Sequence, residues 1–258
     1  MRSNKRGKLK DVVIKLFVCT LAIIFLVPVL LTVVQSFQVD SKISLDGYRE
    51  LLFNCFPFYH MFWNSVLYTM SITIGIILIS VPAAFAFKFA HFRGKNVLYV
   101  IYIILMMMPL QVMLLPNYIG LRDMELLNTR LAIILPMLFS PFGVVVIHQY
   151  MREIDTSMIE AARLETNSVI RIMFHCIIPQ IKVCIAAAAL FLFADAWNMV
   201  EQPLLYVNED KLRTLSAFIA QAKNYTEGVM LPASVLFIIP VFLCYLMFHE
   251  ELKEGLKL

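Results

Sequence analysis

Six stretches of about twenty mostly apolar residues recur along this chain, at 12–34, 65–87, 97–116, 131–150, 181–200 and 230–248, each closed by charged or turn-forming residues. A hydrocarbon core of ~30 Å needs about 20 residues of helix at 1.5 Å rise, so each stretch is long enough to cross a bilayer once. Of the 258 residues 60% are hydrophobic and 16% charged, against roughly 45–50% and about 25% in a soluble domain. With only 8 glycines and 11 prolines, neither a collagen-like repeat nor a disordered linker fits. The expected fold class is an all-α membrane protein with six transmembrane helices.

The first stretch follows a basic start, Arg2, Lys5, Arg6, Lys8 and Lys10. It is longer than the ~7–15 residues of a secretory signal core, and no small-residue cleavage pattern follows position 34, so it reads as an uncleaved anchor. With the N-terminus inside, the inner segments hold 15 of the 22 Lys and Arg and the outer loops hold 7. That asymmetry predicts cytoplasmic N- and C-termini. The net charge of +4 is thus a matter of orientation in lipid, and no nucleic-acid partner is expected. Residues 1–34 form the N-terminus and first span, 65–248 a core of five spans with a cytoplasmic loop at 151–180, and 249–258 a cytoplasmic tail.

Several chemistries find no support. The glycines never approach the G-x-x-x-x-G-K-[S/T] spacing that converges backbone N–H groups on a phosphate. No G-x-S-x-G elbow and no H-E-x-x-H pair occurs. The five histidines (60, 91, 148, 175, 249) fall at span ends or in loops, where a solvated interfacial role is the default. Cys19, Cys55, Cys176, Cys184 and Cys244 show neither metal-ligand spacing nor a disulfide framework, since only Cys55 lies on the far side. Neither a catalytic residue nor a metal site is expected.

The segment 151–180 is short, helix-prone and amphipathic, on the face where ATP is available. Ser157 and Glu160 stand in the S-x-x-E spacing of a capping box. Ala161, Ala162, Arg163 and Leu164 are good helix formers, and the two alanines leave a shallow surface for another protein. Pro179 suits the first turn of the next helix.

The run Glu160-Ala161-Ala162, then Glu165, Phe174 and Ile178-Pro179, resembles the EAA loop of binding-protein-dependent ABC importers, approximately E-A-A-x-x-D-G-A-S followed by I-x-L-P. Thr166 stands for the family glycine and Asp155 for a proline before the loop; the left-handed turn that glycine allows is expected to move to Asn167. Other segments agree. Residues 83–94 resemble the family's A-A-Y-A-x-A-R-x-x-F-x-G boundary, Met108-Pro109-Leu110-Gln111 and Leu126-Leu127-Asn128-Thr129 its P-x-Q and L-L-N-T segments. Trp197-Asn198, Pro203-Leu204, Arg213-Thr214-Leu215 and the tail Glu254-Gly255-Leu256 are similar to marks of six-helix permeases of the maltose and oligosaccharide type.

The resemblance implies the ABC type I importer permease fold in a bacterial or archaeal plasma membrane. It implies an ATPase-coupling helix at Glu160, Ala161, Ala162, Arg163, Leu164, Glu165, Thr166 and Asn167. The implied partners are two ATPase subunits, a second permease subunit and an extracytoplasmic solute-binding protein, with 201–229 as its contact. The chain itself would bind no cofactor and would not be an enzyme; ATP and Mg would be used by the partner ATPase.

A translocation path should be a polar seam in an apolar bundle. Asp195 is its leading candidate, in the outer half of span five, with Asn198 one turn away and Gln111 and Ser140 as further members. A buried Asp195 satisfied by neighbouring helices, or one solvated at the outer surface, is equally open. Two rival functions stay open too: a stand-alone carrier using Asp195, and a non-transporting scaffold or sensor.

Overall fold

The computed structural model describes residues 2–39, 42–221 and 227–255. Helix dominates, as long apolar runs require where no water is present to satisfy backbone groups. In chain order the helices are α1 (Arg2–Ser36), α2 (Phe56–Phe89), α3 (Lys95–Met106), α4 (Leu110–Asp123), α5 (Arg130–Leu138), α6 (Pro141–Met151), α7 (Thr156–Glu165), α8 (Val169–Trp197), α9 (Glu201–Tyr206), α10 (Leu215–Ala220) and α11 (Glu227–Gly255). Among the described residues strand pairing is confined to a two-residue ladder, Gln38 opposite Ile43 and Val39 opposite Lys42. Leu256 of the tail motif lies outside the described residues.

Five helical stretches are long and apolar enough to cross a membrane: Val13–Ser36, Phe56–Phe89, Arg130–Met151, Val169–Trp197 and Gly228–Glu250. The sixth expected span, 97–116, is not one rod. It is the pair α3 and α4, bent by 104°. Pro109 causes the break: it lacks an N–H, takes an extended conformation at φ −60 and ψ 141, and disfavours helix at the residue before it. The Met106-Met107-Met108 run, expected to pack adaptably, is exposed at this elbow. Between α5 and α6 the helix is interrupted before Pro141, which takes the first turn of α6.

The fifth span also differs from expectation. Helix begins at Val169 rather than near Pro179, and passes through a π turn at Met173–Ile177 before continuing as Ile178–Trp197. The wider turn immediately before Pro179 loosens the hydrogen-bond ladder where the proline ring would collide with it. One continuous rod results.

Two compact units divide the chain, one of residues 1–56 and 221–238, the other of 57–220 and 239–258. In the first, α1 is exposed along its apolar length. After it the chain folds back: Ser36 Oγ lies 2.7 Å from Tyr48 OH, and the rings of Phe37 and Tyr48 stand 5.1 Å apart. A Cβ on Gly47 would sit 2.3 Å from the Gly228 carbonyl oxygen, so that close approach needs glycine.

In the second unit α2, α6 and α8 surround two apolar clusters. One joins Phe85, Phe89, Ile147, Met151, Ile177 and Ile181, the other Tyr68, Ile72, Ile133, Leu192, Ala196 and Tyr206. α2 and α6 run in one direction and α8 in the other, which gives the unit two poles. At one, Lys88 Nζ donates to the Arg152 carbonyl at 3.0 Å, tying α2 to the end of α6 beside α7. At the other, Asn64 Nδ2 donates to the Lys211 carbonyl at 2.7 Å and Ser65 Oγ accepts from Leu215 N at 2.7 Å.

Gly143 sets the spacing of α6 on α2, since a Cβ there would stand 2.5 Å from Ser80 Oγ and 2.8 Å from Ile76 Cγ2. Gly120, on α4, has nothing within 4 Å of the same position. Gly143→Val should destabilise the solubilised protein by about 1–3 kcal/mol through overpacking. Gly120→Ala should leave the melting temperature unchanged or raise it. Thermal unfolding of both variants in one detergent checks this, and an unchanged Tm for Gly143→Val would contradict the packing.

Candidate functional site

Helix α7 is built for two faces. Ile159 is 3% exposed and belongs to the apolar cluster with Met151 and Ile172, against which Met158 and Ala162 also pack. Glu160, Ala161, Arg163, Leu164 and Glu165 point away and are exposed, Leu164 at 90%. Among the described residues Glu160, Arg163 and Glu165 make no ion pair.

The start of α7 corrects the capping-box reading. Asp155, not Ser157, is the N-cap: its Oδ1 accepts from Ser157 N at 3.0 Å, with Asp155 extended at φ −67 and ψ 130. An aspartate caps as well as a serine, and its charge suits the positive end of the helix dipole, so the helix begins two residues earlier. The hydrogen bonds from Ser157 hold the Asp155 carboxyl below the ordinary carboxylate range.

The end of α7 corrects the turn. Thr166 is extended at φ −151 and ψ 139, and among the described residues positive φ outside glycine is confined to Glu125 and Asn128. No left-handed residue forms at Asn167. Instead Thr166 Oγ1 accepts from Ser168 N at 3.2 Å, and Ser168 Oγ caps α8 by accepting from Arg171 N at 3.4 Å. Hydroxyl side chains supply the bend that a glycine would have supplied by conformation. The two helices are further joined by a Gln180 Nε2 contact to Met158 Sδ.

At the opposite pole the last turn of α8 opens on a cleft of about 350 Å³. It gathers Gln111, Asp195 and Asn198, three of the four path residues expected from sequence, with Met137, Glu201 and Gln202. Asp195 is exposed, so the reading in which it is buried and satisfied by neighbours does not hold. Gln111 Nε2 donates to Glu201 Oε1 at 3.3 Å, and Asn198 Nδ2 donates to the Ala194 carbonyl at 2.7 Å. Ser140 does not join them: it is half-buried at the start of α6 and caps that helix with no side-chain hydrogen bond. Glu201 and Gln202 escaped the sequence reading as path residues: it placed them in the outer loop 201–229, expected as the contact of the solute-binding protein. Their only signal was a polar pair standing directly before Pro203-Leu204.

The motifs beyond the cleft are structural. Thr214 and Ser216 are buried, their hydroxyls 2.8 Å apart, and both donate to the Met199 carbonyl. Trp197 is buried with its ring parallel to that of Phe193. Asn128, at φ 60, accepts from Asn208 N through Oδ1 at 2.7 Å and donates its own N–H to the Tyr206 carbonyl. These bonds tie the chain after α8 onto the short link before α5.

One histidine departs from the solvated expectation. His148 is buried, its ring 4.2 Å from that of Tyr99 and edge-on to Phe87. Its position at a span end made it look interfacial, but α3 folds back over it. The five cysteines are all free, and among the described residues no group of His, Cys, Asp or Glu could hold a metal ion.

The chain is 24% identical to the arabinooligosaccharides transport system permease protein AraQ of Bacillus subtilis, over 99% of this chain and 97% of that one. It is 26% identical to the sn-glycerol-3-phosphate transport system permease protein UgpE of Brucella abortus, over 82% and 79%. The fold matches a chain of a bacterial ABC transporter involved in the import of the acidic polysaccharide alginate, with a TM-score of 0.82, 20% identity and coverage of 94% and 96%. The family model described as binding-protein-dependent transport system inner membrane component matches residues 76–250, which take in α3 to α10 and with them the whole of α7. The chain therefore belongs to that family: it is a multi-pass membrane permease component of an ABC importer.

Proposed function

We propose that this permease carries a carbohydrate across a bacterial or archaeal plasma membrane, with both termini cytoplasmic, and that α7 is the surface on which a separate ATPase subunit acts. The observation that carries this reading is the two-faced α7, anchored by Ile159 and bare at Glu160 and Leu164. Two ATPase subunits would use ATP and Mg, so this chain would hold no cofactor. A second permease subunit would complete the path, and an extracytoplasmic binding protein would deliver the solute to the outer loops. The apolar, exposed α1 would face lipid or that second permease.

The mechanism follows from the continuity of α8. Its 29 residues span roughly 43 Å at 1.5 Å per residue, from the α7 hinge to the cleft at Asp195. A push on α7 passes through its buried contacts and the Thr166–Ser168 turn into a rod that has no other break than the π turn. Closure of the ATPases would thereby tilt the cleft wall between inward- and outward-facing states. Glu160 would pair with a basic residue of the ATPase, and Leu164 would fill an apolar recess beside it.

Co-purification of the tagged protein from its native membrane should recover an ATPase, a second permease and a binding protein. Glu160→Ala should lower ATP-driven uptake by about tenfold or more, the worth of one charge-assisted contact, with membrane insertion intact. Normal assembly with full transport in that variant would count against the assignment and return the carrier and scaffold readings.

Asp155 yields a pH prediction. Its carboxyl is held low in the folded protein, so the cap is complete above the unfolded value near ~4 and is lost as pH falls through the lowered folded value. Hydrogen exchange at 156–159 should therefore quicken only in strongly acidic buffer in the wild type. In Asp155→Ala it should be fast, relative to wild type, at neutral pH as well; equal protection in the two proteins would remove the cap from the account.

A further inference from the structure

The relatives carry chemically opposite cargo, a neutral oligosaccharide in one case and a phosphorylated polyol in another, and the lining of the cleft separates these classes. Its polar members are Gln111, Asp195, Asn198, Glu201 and Gln202, and among the described residues no Lys, Arg or His lines it. Two of the five are acids, each offering about four lone-pair sites and, when ionised, no donor. Part of the donor capacity nearby is already engaged, since Gln111 Nε2 turns to Glu201 and Asn198 Nδ2 to its own helix.

Gln202 adds an independent sign. It is 4% exposed in the cleft wall, and its Nε2 reaches Met137 Sδ at 3.6 Å, which leaves Oε1 buried with no hydrogen-bond partner. Most buried side-chain polar atoms find a partner, so an orphaned carbonyl beside a cleft wants a donor from whatever enters. The site as a whole is acceptor-rich and donor-poor. A hydroxyl brings the missing donor; a phosphate or carboxylate brings further acceptors and a like charge.

We propose that this cleft selects solutes that present hydroxyl donors and carry no negative charge, an uncharged saccharide, and rejects phosphorylated polyols and uronates. Asp195, Glu201 and Gln202 are the residues that set the preference. A volume of about 350 Å³ lies at the small end of the ~300–1,000 Å³ typical of small-molecule sites, so a short part of a chain would occupy it at a time. This selectivity rests on the reading of the cleft as part of the solute path.

The test uses the whole transporter, purified with its partner subunits in nanodiscs and without binding protein, so that the permease alone discriminates. Equilibrium binding of radiolabelled arabinotriose, trigalacturonate and sn-glycerol-3-phosphate is measured. Arabinotriose should bind saturably and both anions at least about tenfold more weakly, as expected when a buried acceptor meets another acceptor. Gln202→Leu should weaken arabinotriose by about fivefold, one hydrogen bond's worth. The near-isosteric pair Asp195→Asn and Glu201→Gln should narrow the gap between arabinotriose and the anions, and guards against a Gln202 variant that merely misfolds. An anion that binds as tightly as arabinotriose, binding unmoved by the variants, or no binding of any probe would overturn the proposal. ATP-driven uptake in proteoliposomes with the binding protein present is read separately: its absence for every solute would strike the permease reading, whereas vigorous uptake of an anion would strike only the selectivity.

Discussion

Close packing of one uninterrupted helix, α8, on α2 and α6 is the contact on which the rest of the second unit depends. Small residues make it: Gly143 on α6 lets α2 approach, and Cys184, Ala186, Ala188 and Ala189 keep the inner face of α8 shallow and buried. Between helices in lipid the hydrophobic effect offers little, so van der Waals fit at small residues takes its place. With the rod seated, its two ends are held at fixed distance, one carrying α7 and the other the cleft.

Polar interactions in this protein are concentrated where helices end. The Met199 carbonyl, freed at the end of α8, is met by Thr214 and Ser216, while Asn128 and Asn208 stitch the neighbouring links together. At the other pole Asp155, Thr166 and Ser168 satisfy the ends of α7 and the start of α8. Each such bond answers the same need, since a helix terminus leaves donors or acceptors that cannot go unpaired beside an apolar core. Motifs that resemble carbohydrate-permease marks, Trp197-Asn198 and Arg213-Thr214-Leu215, serve mainly this end-sealing role. Asn198 also lines the cleft, with Asp195 and Glu201.

The division between motif and mechanism explains how much was legible in the sequence. The Glu160-Ala161-Ala162 run placed α7 correctly because helix propensity and the family pattern are both local. Its cap was misread by two residues because aspartate and serine are near-equal caps, and only backbone geometry shows which residue has left the helix. The substitution of Thr166 for glycine suggested a displaced left-handed turn; hydroxyl hydrogen bonds made that turn unnecessary. His148 looked solvated because its neighbours in sequence are at a span end, whereas its neighbours in space are Phe87 and Tyr99.

By itself the sequence determined the membrane class, the number of apolar runs, the family and the position of the α7 helix, because each is written in residues adjacent along the chain. Tertiary structure alone decided the 104° elbow at Pro109, the exposure of one face of α7 and the company Asp195 keeps. Gln111 stands 90 positions from Glu201, and no local periodicity can announce that their side chains meet. A cleft is a property of how helices end against one another, and those ends are set by packing across the bundle.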